Sequence, residues 1–113
     1  MITLALPDWL DDALSTFAGQ RTDEERMAGV IGLARRNVDE RTGGPFSAAI
    51  FDTGSGRLIA AGVNVVVPTN AAIAHAEAMA VAAAGQALES FDLSAHGPTS
   101  LFASTEPCVM CMG

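Results

Sequence analysis

His75-Ala76-Glu77 and, about thirty residues further on, Pro107-Cys108-Val109-Met110-Cys111 constrain this chain more than any other feature. Together they offer one imidazole and two thiolates as metal ligands, with one carboxylate to spare, which is the inventory of a hydrolytic zinc site. A structural zinc site normally closes with a fourth protein ligand, so a set of three keeps one position open. For the three to serve one ion, two segments distant in sequence must converge.

The elements read from the sequence bring them together. Pro7-Asp8-Trp9-Leu10 places a capping aspartate before apolar residues, predicting a short amphipathic helix that ends near Gly19. Thr22-Asp23-Glu24-Glu25 reads as a capping box, followed at helical spacing by Met27, Val30, Ile31, Ala34 and Val38. That helix should stop at Thr42-Gly43-Gly44-Pro45. Residues 46–51 and 57–66 read as two strands of a hairpin around Thr53-Gly54-Ser55-Gly56, apolar enough for burial on both faces. After a loop at Val67-Pro68-Thr69-Asn70, the alanine-rich run 73–88 predicts a helix that packs closely on a sheet. A third strand at 99–104 leads to a last helix with Pro107 in its first turn. His75 and Glu77 then open one helix, and Cys108 and Cys111 the next, where free N–H groups and the positive dipole end favour thiolate over thiol.

Composition narrows the partners. A chain of 113 residues, half of them hydrophobic, suits one small domain. The net charge of −7, with the basic residues mostly between Arg21 and Arg41, shows no basic stripe for neutralising phosphates. A small neutral substrate is therefore expected, and nucleic acid is not. The longest apolar stretch, residues 71–84, is interrupted by His75 and Glu77 and is too short to span a membrane. Two cysteines at metal-ligand spacing, with no signal peptide ahead of them, point to the cytoplasm.

Each feature also has a plainer reading. Cys-x-x-Cys after a strand could be a thioredoxin-like redox pair, which leaves His75 and Glu77 without a task. Glu77 alone would be a helix-start charge, and His75 alone a core histidine. Asn64 could be a strand-end residue, His96 a solvated loop residue, Met79 and Met110 core filler, and Trp9 a packing anchor.

His-x-Glu followed by Pro-Cys-x-x-Cys is the signature of the zinc deaminases. With Gly44-Pro45-Phe46-Ser47-Ala48-Ala49, Ala61-Gly62-Val63-Asn64, Phe91-Asp92-Leu93-Ser94 and Thr105-Glu106 around it, the chain resembles the cytidine deaminase-like superfamily. Within it, the resemblance is to the guanine deaminase-like, nucleobase branch, from about Arg26 to Gly113. What it implies is a three-layer α/β/α sandwich around a mixed sheet. Zinc would be held by His75, Cys108 and Cys111, with Glu77 as proton shuttle and Asn64 and the Ala76 backbone N–H holding the base. It further implies a homodimer that converts guanine to xanthine and ammonia.

The family continues beyond the cysteine helix. Residues 21–113 are therefore expected to be a zinc-binding domain incomplete at its C-terminal end, behind an N-terminal helical extension at residues 1–20. Alternatives are a tRNA adenosine deaminase, a cytosine deaminase or, in another class, a noncatalytic zinc-binding assembly module.

Overall fold

Thr22 and Glu25 start the longest helix in the way the sequence predicts. The Glu25 N–H donates to Thr22 Oγ1 at 3.1 Å and the Thr22 N–H donates back to Glu25 Oε1 at 3.2 Å, so two otherwise orphaned donors are satisfied. The structure, a computed structural model, describes residues 2–112. In chain order it has α1 (Trp9–Ala13), a 3-10 turn (Leu14–Phe17), α2 (Asp23–Asp39), β1 (Ser47–Asp52), β2 (Leu58–Val63), α3 (Val66–Thr69), α4 (Ala76–Leu88), β3 (Thr99–Ala103) and α5 (Val109–Met112).

The strands form one sheet in the order β2-β1-β3, with both ladders antiparallel. β1 is central and its first five residues are buried, as expected for a strand covered on two faces. Alternation along the strands divides the core. Ala49, Phe51, Ala61 and Val63 face α2 and the N-terminal helices, packing with Trp9, Leu10, Phe17, Val30 and Leu33. Ala48, Ile50 and Ala60 face α4, against Ala76, Ala80 and Ala84. Helices on both faces of a sheet make the three layers that the resemblance implies.

Four local expectations need correction. Asp8 stands at the start of α1 but makes no side-chain cap; its own backbone is already helical, and the Leu10 N–H bonds instead to the Pro7 carbonyl at 3.1 Å. The buried stripe of α2 is Gly29, Val30, Leu33, Ala34 and Asn37, while Ile31 and Val38 are each 45% exposed. Residues 66–69 form a helical turn where a strand end and a loop were expected. Asn64 Oδ1 accepts from the Val66 N–H at 3.2 Å and so turns the chain, against the β-propensity of the valines. Pro68 is tolerated because first-turn N–H groups have no helical partner anyway. α4 begins at Ala76 rather than near Ile73, with His75 as its N-cap.

The seating of α4 on the sheet depends on one glycine. A Cβ on Gly62 would lie 2.5 Å from the Ala80 nitrogen and 2.7 Å from the Ala76 carbonyl oxygen. These are backbone atoms that cannot swing aside, so the helix touches β2 directly. Gly62→Ala should therefore lift α4, costing about 1–3 kcal/mol as overpacking does, and should shift His75 and Glu77 with it. Urea unfolding checks the stability loss. An unchanged midpoint would mean that the contact is not held this closely in solution.

Candidate metal centre

α4 and the start of α5 meet beyond the ends of the strands. His75, extended at the N-cap, turns its ring towards the second segment. His75 Nδ1 lies 3.5 Å from Cys108 Sγ and 3.7 Å from Cys111 Sγ, and the ligand atoms of all three residues lie within 4.8 Å of one another. A tetrahedral zinc ion with Zn–S of about 2.3 Å and Zn–N of about 2.0–2.1 Å has an N···S edge of about 3.6 Å. Both contacts match that edge. One ring nitrogen can make one good hydrogen bond in the ring plane, so two near-equal sulfur contacts fit a shared ion better than a thiol pair bonded to imidazole. Both thiols are free, and the donor set of one nitrogen and two sulfurs is one that zinc favours.

The two thiols differ electrostatically. The Cys111 backbone N–H aimed at Cys108 Sγ holds the Cys108 thiol below its ordinary 9.0, aided by the Cys111 side chain and the Met110 N–H; desolvation and the Glu77 charge oppose this. Burial pushes the Cys111 thiol up to about 11, helped by the Cys108 side chain and the charge of Glu77, with only the Ala78 N–H pulling the other way. Cys108 is thus the readier thiolate. Cys111 gives up its proton only to a strong competitor such as a metal ion.

Beside the three ligand-type residues lies a cleft of about 260 Å³, lined by Phe46, Asn64, Ala76, Glu77, Thr105 and Glu106 as well as His75 and Cys108. Glu77, in the first turn of α4, sends its carboxylate near enough to both thiols for its charge to raise each of them. Ala76 opens the same turn, where the N–H has no partner within the helix. The Asn64 N–H donates to the Phe46 carbonyl at 3.0 Å, and Asn64 Oδ1 accepts from Val66. Among the described residues Asn64 Nδ2 is left without a partner, a donor at the cleft wall.

His75, Ala76, Glu77, Asn64 and Cys108, all singled out from the sequence for chemistry, border one cleft, and Cys111 joins them through its contact with His75. Phe46, Thr105 and Glu106 were not singled out as site residues. An aromatic residue directly after Gly-Gly-Pro, 38% exposed where its neighbours in β1 are buried, is the signal that would have found Phe46. His96 lies apart, exposed, in a hollow with Arg57 and Leu93.

Residues 20–113 match the family described as the cytidine and deoxycytidylate deaminase zinc-binding region. The chain belongs to that family. Among its deaminase relatives, the guanine deaminase of Bacillus subtilis (strain 168) is 39% identical over 83 residues, covering 74% of this chain and 50% of the relative. The solved structure of a guanine deaminase from Nitrosomonas europaea is 42% identical with a TM-score of 0.89, covering 98% of this chain and 62% of that one. A structure in complex with 2,6-diaminopurine is 43% identical with the same TM-score of 0.89, covering 98% of this chain and 59% of that one. The chain thus spans between half and two thirds of the length of these relatives. Zinc is the cofactor that the family and the donor set share.

Proposed function

We propose that the protein carries out zinc-dependent hydrolytic deamination of a purine base, converting guanine and water to xanthine and ammonia, with His75, Cys108 and Cys111 as the zinc ligands. The observation that carries this reading is the cleft in which Glu77 and Asn64 stand beside the three ligand-type residues. Its support from outside the chain is that the named relatives are guanine deaminases. Bound zinc supplies the Lewis acidity that makes water a nucleophile near neutral pH. Glu77, which is not among the ligands, accepts the proton of the attacking water on its carboxylate. It delivers that proton to a ring nitrogen of the base, then takes the second water proton from the hydroxyl now on the ring carbon and passes it to the departing amine, which leaves as ammonia. Asn64 Nδ2 and the Ala76 N–H donate to acceptors on the ring and fix its orientation, and Phe46 offers an aromatic face at the cleft edge.

Residues 21–113 are taken as the zinc-binding domain and 1–20 as its extension. The start of the family match at residue 20 supports that division. A reducing, cytoplasmic setting suits two free thiols. No helix among the described residues is long and apolar enough to cross a membrane. A homodimer is the assembly read from the resemblance, and the exposed apolar Val109 and Met112 beside the site are consistent with a covering partner.

The test is ammonia release by the zinc-loaded protein from guanine, compared with adenine, cytosine and the loop adenosine of a tRNA anticodon stem-loop. Release from guanine is expected. Turnover of the tRNA substrate with steep salt sensitivity would replace guanine with a polynucleotide. Zinc binding without turnover of any base would favour a noncatalytic module.

A further inference from the structure

We propose that Asn37 is a positioning residue for the cleft amide of Asn64, and that Trp9, which precedes the family match, sets its orientation through Thr42; this rests on the reading of Asn64 as a base-holding residue. Asn37 lies on the inner face of α2 with no exposed surface. A buried carboxamide is costly unless its hydrogen-bonding groups are satisfied. Asn37 Nδ2 donates to the Gly44 carbonyl at 2.8 Å and to the Asn64 carbonyl at 2.9 Å, while Asn37 Oδ1 accepts from Thr42 Oγ1 at 2.7 Å. Phe46, which lines the cleft with Asn64, bonds back to both: its N–H donates to the Gly44 carbonyl and its own carbonyl accepts from the Asn64 N–H.

The far end of the relay fixes its direction. An indole N–H can only donate, and Trp9 Nε1 donates to Thr42 Oγ1 at 3.0 Å. The Thr42 hydroxyl then has a single proton to place. Asn37 Oδ1 at 2.7 Å is a better acceptor position than the Asn37 carbonyl at 3.3 Å. The Gly44 and Asn64 carbonyls can only accept, so the NH₂ of Asn37 has to face them and Oδ1 faces Thr42, which removes the usual ambiguity of an amide flip. Trp9 is itself held, 8% exposed, with the Arg36 guanidinium 5.0 Å from its ring centre. The loop is pressed onto the relay so tightly that a Cβ on Gly43 would sit 1.9 Å from the Asn64 carbonyl oxygen.

Asn64 is consequently tied at three atoms: its N–H to Phe46, its carbonyl to Asn37 and its Oδ1 to Val66. Only Nδ2 is left to serve a ligand, so the relay selects a base that presents an acceptor there. A segment ahead of the family-matched residues 20–113 thus supports the orientation of a base-holding side chain inside them.

The experiment compares Thr42→Val, which breaks the relay isosterically, Trp9→Phe, which removes its terminal donor, and Thr42→Ser, which keeps the hydroxyl. Zinc stoichiometry and the thermal midpoint are measured to set aside unfolded variants. The readouts are the order of the Asn64 side-chain NH₂ by heteronuclear NMR and the dissociation constant for guanine on the zinc-loaded protein. Thr42→Val should loosen the Asn64 amide and weaken guanine binding about fivefold, the worth of one net hydrogen bond. Trp9→Phe should act in the same direction, and Thr42→Ser should match wild type. An Asn64 amide as ordered in Thr42→Val and Trp9→Phe as in wild type would overturn the proposal. If the wild-type protein binds no guanine, the guanine reading fails, and the order of the Asn64 amide still decides this one.

Discussion

Replacing Glu77 with glutamine should reduce ammonia release from guanine by about two to four orders of magnitude, the usual worth of a positioned general acid–base group, while zinc content stays unchanged. Glutamine keeps the size of the side chain and its reach into the cleft but cannot take a proton from water. The expectation that zinc remains follows from the ligand geometry. The three atoms that approach one another closely belong to His75, Cys108 and Cys111, whereas Glu77 affects the thiols only through its charge. Steady-state ammonia assays paired with metal analysis of the same samples make the check. Loss of zinc in Glu77→Gln would make Glu77 a ligand and overturn its role. Full activity with zinc retained would move the proton shuttle elsewhere, and Glu106, the other carboxylate bordering the cleft, would be tested next.

The legible parts of this molecule were those set by local chemistry. The capping box at Thr22 and Glu25 needs only residues three apart. The apolar runs of β1 and β2, the alanine face of α4 and the spacing of Cys108 and Cys111 are likewise written in short windows. What stayed hidden depends on partners brought from afar. A helical stripe reading favours Ile31 and Val38 over Asn37, because hydropathy assigns an asparagine to solvent. Asn37 is buried because Thr42, Gly44 and Asn64 supply every bond it needs, and two of those groups are backbone carbonyls that no pattern displays.

The same distinction explains the turn at Val66. Three consecutive valines read as strand until Asn64 Oδ1 takes the Val66 N–H. The cleft was legible in its chemistry, since His75, Glu77, Cys108 and Cys111 were all singled out from spacing. Its walls were not, because Phe46 and Glu106 become neighbours only when β1 and the end of β3 pair along the sheet.

Cys108→Ser should remove zinc and with it the stability that zinc confers. Loss of a residue that only orients a ligand typically costs 10–100-fold in metal affinity, so loss of a ligand should cost more than about a hundredfold. In the wild-type protein, free zinc at about a hundred times its dissociation constant adds roughly 2.7 kcal/mol to folding by mass action. Thermal unfolding with and without a chelator should then give two separate midpoints for wild type and coincident ones for Cys108→Ser. The pH dependence has a definite sign. Cys111 in the metal-free protein holds its proton up to about pH 11, so binding at neutral pH must expel it. Each thiol proton displaced makes the apparent zinc affinity rise by about tenfold per pH unit. Affinity should therefore climb by one to two decades for each unit between about pH 6 and 8 and weaken as acid returns the protons. An affinity that does not change over that range would mean that the thiols are already ionised without metal. The burial of Cys111 and the nearby charge of Glu77 argue against that state, since both make a second thiolate in this site costly until a cation shares it.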